Sequence, residues 1–219
     1  MTDAERRFTS VRVELRASSD DKQTIGGYAA KFNRMSQNLG GFVERIDPGF
    51  FNKSRGDGWP GVIARHNHDD NMLLGTTGAG TLRLSLDSVG LMYEVDTPHS
   101  RADVYELVQR GDVHQSSFAF RAFEDDWATT DQGFPLRTLI SGQLFDVASV
   151  NTPAYTDTSV GLRSLARKFD ATLEEVRALA EQDGLVKFFK RTDGKAAPVK
   201  RSAADALTRI MRLDPNQTL

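Results

Sequence analysis

Cysteine is absent from the 219 residues. Its absence excludes disulfides, thiolate zinc sites and a cysteine nucleophile, and it suits a reducing compartment. An excess of one charge is missing too. The 28 Lys and Arg stand against 30 Asp and Glu, a net charge of -2, so the whole chain has no pull toward nucleic acid or an anionic membrane. No run approaches the roughly 18 apolar residues that a membrane span needs. Met1 to Arg7 is polar with no apolar stretch behind it, so neither leader-directed secretion nor membrane insertion is expected. Internal repeats and low-complexity tracts are lacking. Neither a G-x-S-x-G elbow nor a G-D-S-G run occurs, which disfavours the better-known serine hydrolases. What remains is a globular composition, 39% hydrophobic and 26% charged, in a chain long enough to bury a full core.

From Phe8 to about Val160 the dominant period is two, as in Val11, Val13, Leu15 and in Leu91, Tyr93, Val95. This predicts a mainly β body of roughly six to eight strands. Gly80 to Asp96 reads as a hairpin around Leu86-Asp87-Ser88, and Phe134 to Ile140 and Leu144 to Val150 as two strands joined at Ser141-Gly142. One helix is expected with Ser100 as its cap, Val104, Leu107 and Val108 as its apolar face and Gly111 past its end. A shorter helix begins near Pro48 with Phe50 and Phe51 inward. Beyond Gly161 the texture turns helical. Thr172-Leu173-Glu174-Glu175 is a capping box, Gly194 to Pro198 a linker, and Ala203 to Leu213 a last helix. From Arg163 onward 12 Lys and Arg face 8 Asp and Glu. The division expected is a body over residues 8–162 and a helical, partly flexible tail over 163–219.

Three segments concentrate groups that can do chemistry. Arg65-His66-Asn67-His68-Asp69-Asp70 sets two of the four histidines beside two carboxylates. As a metal site built on His66, His68, Asp69 and Asp70 it falls short of the usual three or four clustered His and Cys ligands. A histidine here is instead suited to general base work, with an unperturbed pKa of about 6.5; the alternative is a solvated polar turn. In Ser116-Ser117-Phe118-Ala119-Phe120-Arg121, read as a strand, Phe118 and Phe120 share one face while Ser117, Ala119 and Arg121 share the other. Buried rings would then fix the backbone that presents Ser117, beside small residues that leave room for a carbonyl; serine as strand filler is the alternative. In Leu144-Phe145-Asp146-Val147-Ala148-Ser149-Val150, alternation puts Asp146 on the face of Leu144, Ala148 and Val150. A buried carboxylate needs a partner. An imidazolium would serve, and an ion pair with Arg121 or Arg137 is the other reading.

Taken in order, these segments resemble the prohead serine proteases of tailed bacteriophages, related in fold to the herpesvirus assemblin proteases. The resemblance runs from about Val11 to Val160. It rests on Gly27-Tyr28-Ala29-Ala30-Lys31-Phe32, Phe42-Val43-Glu44-Arg45-Ile46, Pro48-Gly49-Phe50, Asn67-His68-Asp69 with Leu74-Gly75, Arg110-Gly111-Asp112, Ser117 to Phe120, and an acidic-Val-Ala-Ser-Val strand followed by Pro153-Ala154-Tyr155. Ala119 stands where glycine is frequent in the family, and His66 where an apolar or aromatic residue is.

The resemblance implies a partly closed antiparallel β-barrel of the herpesvirus-protease type with peripheral helices. It implies a serine endopeptidase in which His68 is the base, Ser117 the nucleophile and Asp146 the orienting acid, a role that a second histidine fills in the herpesvirus enzymes. Arg121 and Arg101 are electrostatic helpers or solvated arginines. The implied substrates are the major capsid protein, the scaffold protein or a scaffold-like extension, and the chain itself, cut inside the assembling procapsid in the host cytoplasm. Self-association is allowed, and no cofactor, metal, nucleic acid or membrane is called for. The rivals are a catalytically inactive shell or scaffold component of the same fold, and a metal-dependent hydrolase using His66, His68 and Asp69.

Overall fold

Alternating apolar and polar residues build ten strands among the described residues, and four helices lie around them. The computed structural model describes residues 4–9, 12–16, 22–151 and 159–190. In chain order the elements are β1 (Glu5–Thr9), β2 (Glu14–Arg16), β3 (Thr24–Lys31), β4 (Val43–Ile46), α1 (Asn52–Gly56), β5 (Ile63–His66), β6 (Leu73–Thr76), β7 (Leu82–Leu86), β8 (Gly90–Asp96), α2 (Ala102–Arg110), β9 (Gln115–Thr129), β10 (Pro135–Val150), α3 (Ser159–Phe169) and α4 (Leu173–Ala180). The linker expected at Gly194 to Pro198 and the helix at Ala203 to Leu213 lie outside the described residues.

The strands form two sheets. The larger runs β1-β9-β10-β5-β6, with β4 also paired to β10, and the smaller runs β2-β3-β8-β7. Among the described residues neither sheet closes: β1 and β6 end the first, β2 and β7 the second. This overturns the expected partly closed antiparallel barrel, although the mixture of strands with peripheral helices stands. Pairing is not wholly antiparallel either, because β10 takes β4 and β5 as parallel partners along separate stretches. The sheets instead bury one core between them, from Ile25, Leu91, Tyr93 and Val95 of the smaller and Phe118, Phe120, Leu139, Leu144 and Val147 of the larger.

The two strands expected at Phe134 to Ile140 and Leu144 to Val150, joined at Ser141-Gly142, are instead one 16-residue strand, β10 from Pro135 to Val150, paired along its length with the 15-residue β9. Gly142 makes no turn. A Cβ there would fall 2.3 Å from the Phe50 ring and 2.7 Å from the Arg121 carbonyl, so glycine is required by close approach. Phe50 and Phe51 are fully buried ahead of α1, as their placement in the sequence suggests. In the β7–β8 hairpin Asp87 accepts from the N–H groups of Val89 and Gly90.

Helix α2 ends on Gly111 in the left-handed conformation. Ser100 does not cap it, however. A short 3-10 turn, His99–Arg101, precedes the helix, and Arg101 occupies the cap position without a side-chain capping bond to the helix. At Thr172 both halves of the capping box form, worth about 1 kcal/mol. Helices α3 and α4 bury Leu162, Leu165, Ala166 and Val176 in a second cluster with Leu39, Phe42 and Trp127.

Candidate active site

Three elements of the larger sheet meet at one point. β9 presents Ser117, held from behind by Phe118 and Phe120, whose rings lie 5.7 Å from Phe51 and 5.3 Å from Phe50. Truncating a ring packed this way typically costs about 3–5 kcal/mol, so the strand has little freedom to shift. β10 runs beside it with Ala148 opposite Ser117 and Asp146 opposite Ala119. A β-bulge at Phe145 makes this alignment. Leu144 pairs with Phe120 and faces the core, yet Asp146, two residues on, lies on the opposite face. Simple alternation put Leu144 and Asp146 together, and the bulge separates them.

The third element is the turn leaving β5. Asn67 and His68 both have positive φ, 53° and 56°, and the Asp69 N–H returns to the His66 carbonyl, the pattern of a type I′ turn. Left-handed backbone costs a non-glycine residue about 1–2 kcal/mol. Its surroundings hold it there. The Asn67 N–H donates to the Ser149 carbonyl at 2.9 Å, and the Asn67 side-chain oxygen accepts from the Asn151 N–H. His66 braces the same turn from β5: its Nδ1 lies 3.1 Å from Ser149 Oγ and its Nε2 3.1 Å from Asn67 Nδ2. Burial pushes the His66 pKa below 6.5, only partly opposed by its bond at Ser149 and by the charge of Asp103. His66 is therefore a neutral strut.

His68 is aimed the other way, into the sheet. Its Nδ1 lies 2.7 Å from Asp146 Oδ1 and its Nε2 2.6 Å from Ser117 Oγ. The carboxylate facing Nδ1 makes that nitrogen the proton carrier, which leaves Nε2 as the acceptor facing the hydroxyl. All three residues are buried, Ser117 at 3%, His68 at 6% and Asp146 at 0% exposure. Burial alone would raise the Asp146 pKa, but the His68 bond and charge and then the Arg65 guanidinium outweigh it and hold the carboxyl below its usual range. Chemically, the set can take a proton from the Ser117 hydroxyl and stabilise the imidazolium that results.

Of the other residues singled out in the sequence, neither Arg121 nor Arg137 pairs with Asp146. The Arg121 guanidinium lies 6.0 Å from the centroid of the Phe145 ring. Arg137 belongs to a buried network with Glu5, Glu44 and Asp125. The arginine that pairs with Asp146, beside His68, is Arg65, which also binds Asp70. Its position three residues before His68 was the available signal. Arg101 donates to the Asn71 and Ser100 carbonyls. Asp69 caps its own turn by accepting from Asn71. Among the described residues no three His, Asp or Glu side chains are grouped to hold a metal. The contact that sequence reasoning missed altogether is a backbone one: Ser117 Oγ lies 2.9 Å from the carbonyl oxygen of Arg7.

No curated protein and no solved structure matches the chain. The family model described as Caudovirus prohead serine protease matches residues 11–175, a span that contains His68, Ser117 and Asp146. The chain therefore belongs to the Caudovirus prohead serine protease family, and its role is proteolytic, in the maturation of phage capsids.

Proposed function

We propose that Ser117, His68 and Asp146 are the catalytic residues of this protease. The observation that carries the reading is the unbroken relay from Ser117 Oγ through both ring nitrogens of His68 to Asp146, with steps of 2.6 and 2.7 Å. His68 takes the Ser117 proton as the oxygen attacks a peptide carbonyl, and the acyl-enzyme forms as the bond to the leaving amine breaks. The same proton then goes to that amine, and water releases the acyl group by the reverse path. Asp146 keeps the ring in the required tautomer and offsets its positive charge.

Family membership supplies the coarser frame, an intracellular, procapsid-associated enzyme that cleaves capsid or scaffold proteins. Within it, the proposed substrates are the scaffold or coat-protein extension and the chain itself, cut inside the procapsid in the host cytoplasm. Confinement there raises the effective substrate concentration without any new contact. A fluorophosphonate reagent tests the catalytic assignment. The adduct is expected on Ser117, located by peptide mass, and is expected to be lost in His68→Ala. An adduct on another serine, or one indifferent to His68, would overturn the assignment.

A further inference from the structure

β1 lies along β9 with Phe8 opposite Ser117 and Arg7 opposite Phe118. It is the end strand of its sheet, and at Glu5–Thr9 it precedes residues 11–175 that match the family. Its Arg7 carbonyl sits 2.9 Å from Ser117 Oγ while His68 Nε2 sits 2.6 Å away on the same oxygen. The hydroxyl has one proton. If it goes to the Arg7 carbonyl, His68 cannot receive it; if it goes to His68, two oxygens face each other without a hydrogen between them. A substrate carbonyl must come within about 3–3.5 Å of Oγ, yet Ser117 is only 3% exposed and this carbonyl already occupies its neighbourhood.

The attachment of β1 is equally unusual. The inward side chains of a strand at a core are normally apolar, but here they are Glu5 and Arg7, at 0% and 5% exposure. Arg7 makes two bonds to Glu44, at 2.7 and 2.9 Å, and Glu5 makes two to Arg137, at 2.6 and 3.0 Å. Arg137 also binds Glu44 and Asp125 directly. If β1 leaves, one buried negative and one buried positive charge leave together, and Glu44 stays paired with Arg137. Stranding a buried charge is what makes breaking such a pair costly, and this departure strands none.

We propose that β1 is an internal stand-in for substrate: it holds the edge of β9 on which an extended peptide must pair as an added strand, and it has to leave before cleavage begins. This rests on the catalytic role of Ser117 and His68. Peptides commonly bind by adding a strand to an exposed edge, and the five residues of β1 show that the Ser116–Phe120 edge accepts one.

Two full-length variants test it through the rate of fluorophosphonate labelling at Ser117. The Arg7 carbonyl points at β9, so in an antiparallel pair its N–H does as well. Arg7→Pro therefore removes both that donor and the latch to Glu44. It is expected to label about tenfold faster than the parent, as when a closed state populated about nine-tenths of the time is opened. Arg6→Cys with Ala119→Cys, opposite each other in the register, supplies the only two cysteines in the chain. Its disulfide is expected to slow labelling, and a reductant to restore it. A folded Arg7→Pro that labels no faster, or an oxidised pair that labels as fast as the reduced one, overturns the proposal. Loss of residues 1–7 by self-cleavage would also overturn it, since β1 would then be a substrate. Failure of the catalytic reading looks different: no variant, the parent included, would label at Ser117.

Discussion

Replacing Asp146 with Asn keeps the shape of the side chain and removes its charge at a site with 0% exposure. Two groups then lose their counter-charge: the His68 ring, 2.7 Å from Oδ1, and the Arg65 guanidinium. For His68, an amide can offer its NH2 to Nδ1, which drives the ring proton to Nε2 and points it at Ser117. The ring can no longer accept the hydroxyl proton, and the loss expected of such an inverted relay is about 10³–10⁴-fold in the chemical step, or about 4–5.5 kcal/mol of barrier. For Arg65 the cost is smaller, because Asp70 remains as a partner and the side chain is 13% exposed. Removing one partner of a fully buried pair costs about 3–5 kcal/mol; retention of Asp70 brings the expectation down to about 1–2 kcal/mol, or a melting temperature lower by about 2–8 °C. Initial rates of substrate cleavage and a thermal melt measure the two effects separately. A folded Asp146→Asn protein within about tenfold of the parent rate would refute the reasoning.

Arg137→Met leaves Asp125 without its arginine and Arg7 alone to face both Glu5 and Glu44 and is expected to cost about 3–5 kcal/mol in a urea titration, against under 1 kcal/mol if the network is inert. Gly142→Ala drives a methyl group into the Phe50 ring and is expected to cost about 1–3 kcal/mol by the same titration; an unchanged midpoint would contradict the close approach. Acid is expected to destabilise the fold in two stages. His66 is held neutral, so its contribution is full above its ordinary value of 6.5 and is lost as pH falls toward its lowered folded pKa. Asp146, with its carboxyl depressed, contributes fully above its ordinary value of 3.8 and loses that only as pH falls through its still lower folded value. Melts from pH 8 to pH 2 on the parent and His66→Gln check this: the variant is expected to lose the upper stage and keep the lower.

Local signals in the sequence carried well where the structure is local. The Thr172 capping box, the left-handed Gly111 and the Asp87 hairpin each depend on a few adjacent residues, and each forms. The alternation around Ser117 also holds, because β9 is regular there. It fails at Asp146, since one extra residue in a bulge reverses every face downstream and leaves no compositional trace. Gly142 was misread for a related reason: a glycine that admits a ring and a glycine that makes a turn look alike in sequence. The barrel came from resemblance, and nothing in strand periodicity says whether a sheet closes or ends on free edges. The ion pairs were out of reach. Glu5 and Arg137 are 132 residues apart, and opposite charges are too common in the chain for any one pairing to stand out. The same holds for Arg7 over Ser117, a backbone contact independent of side-chain identity.

The most direct test of the account is to co-express the chain with the coat and scaffold proteins of its phage, beside a Ser117→Ala version, and to compare intact masses of every component. Shortened coat or scaffold chains in the parent and full-length ones in Ser117→Ala are predicted. Identical cleavage in both, or none in either while shells still assemble, would contradict the claim that Ser117 is the nucleophile of capsid maturation.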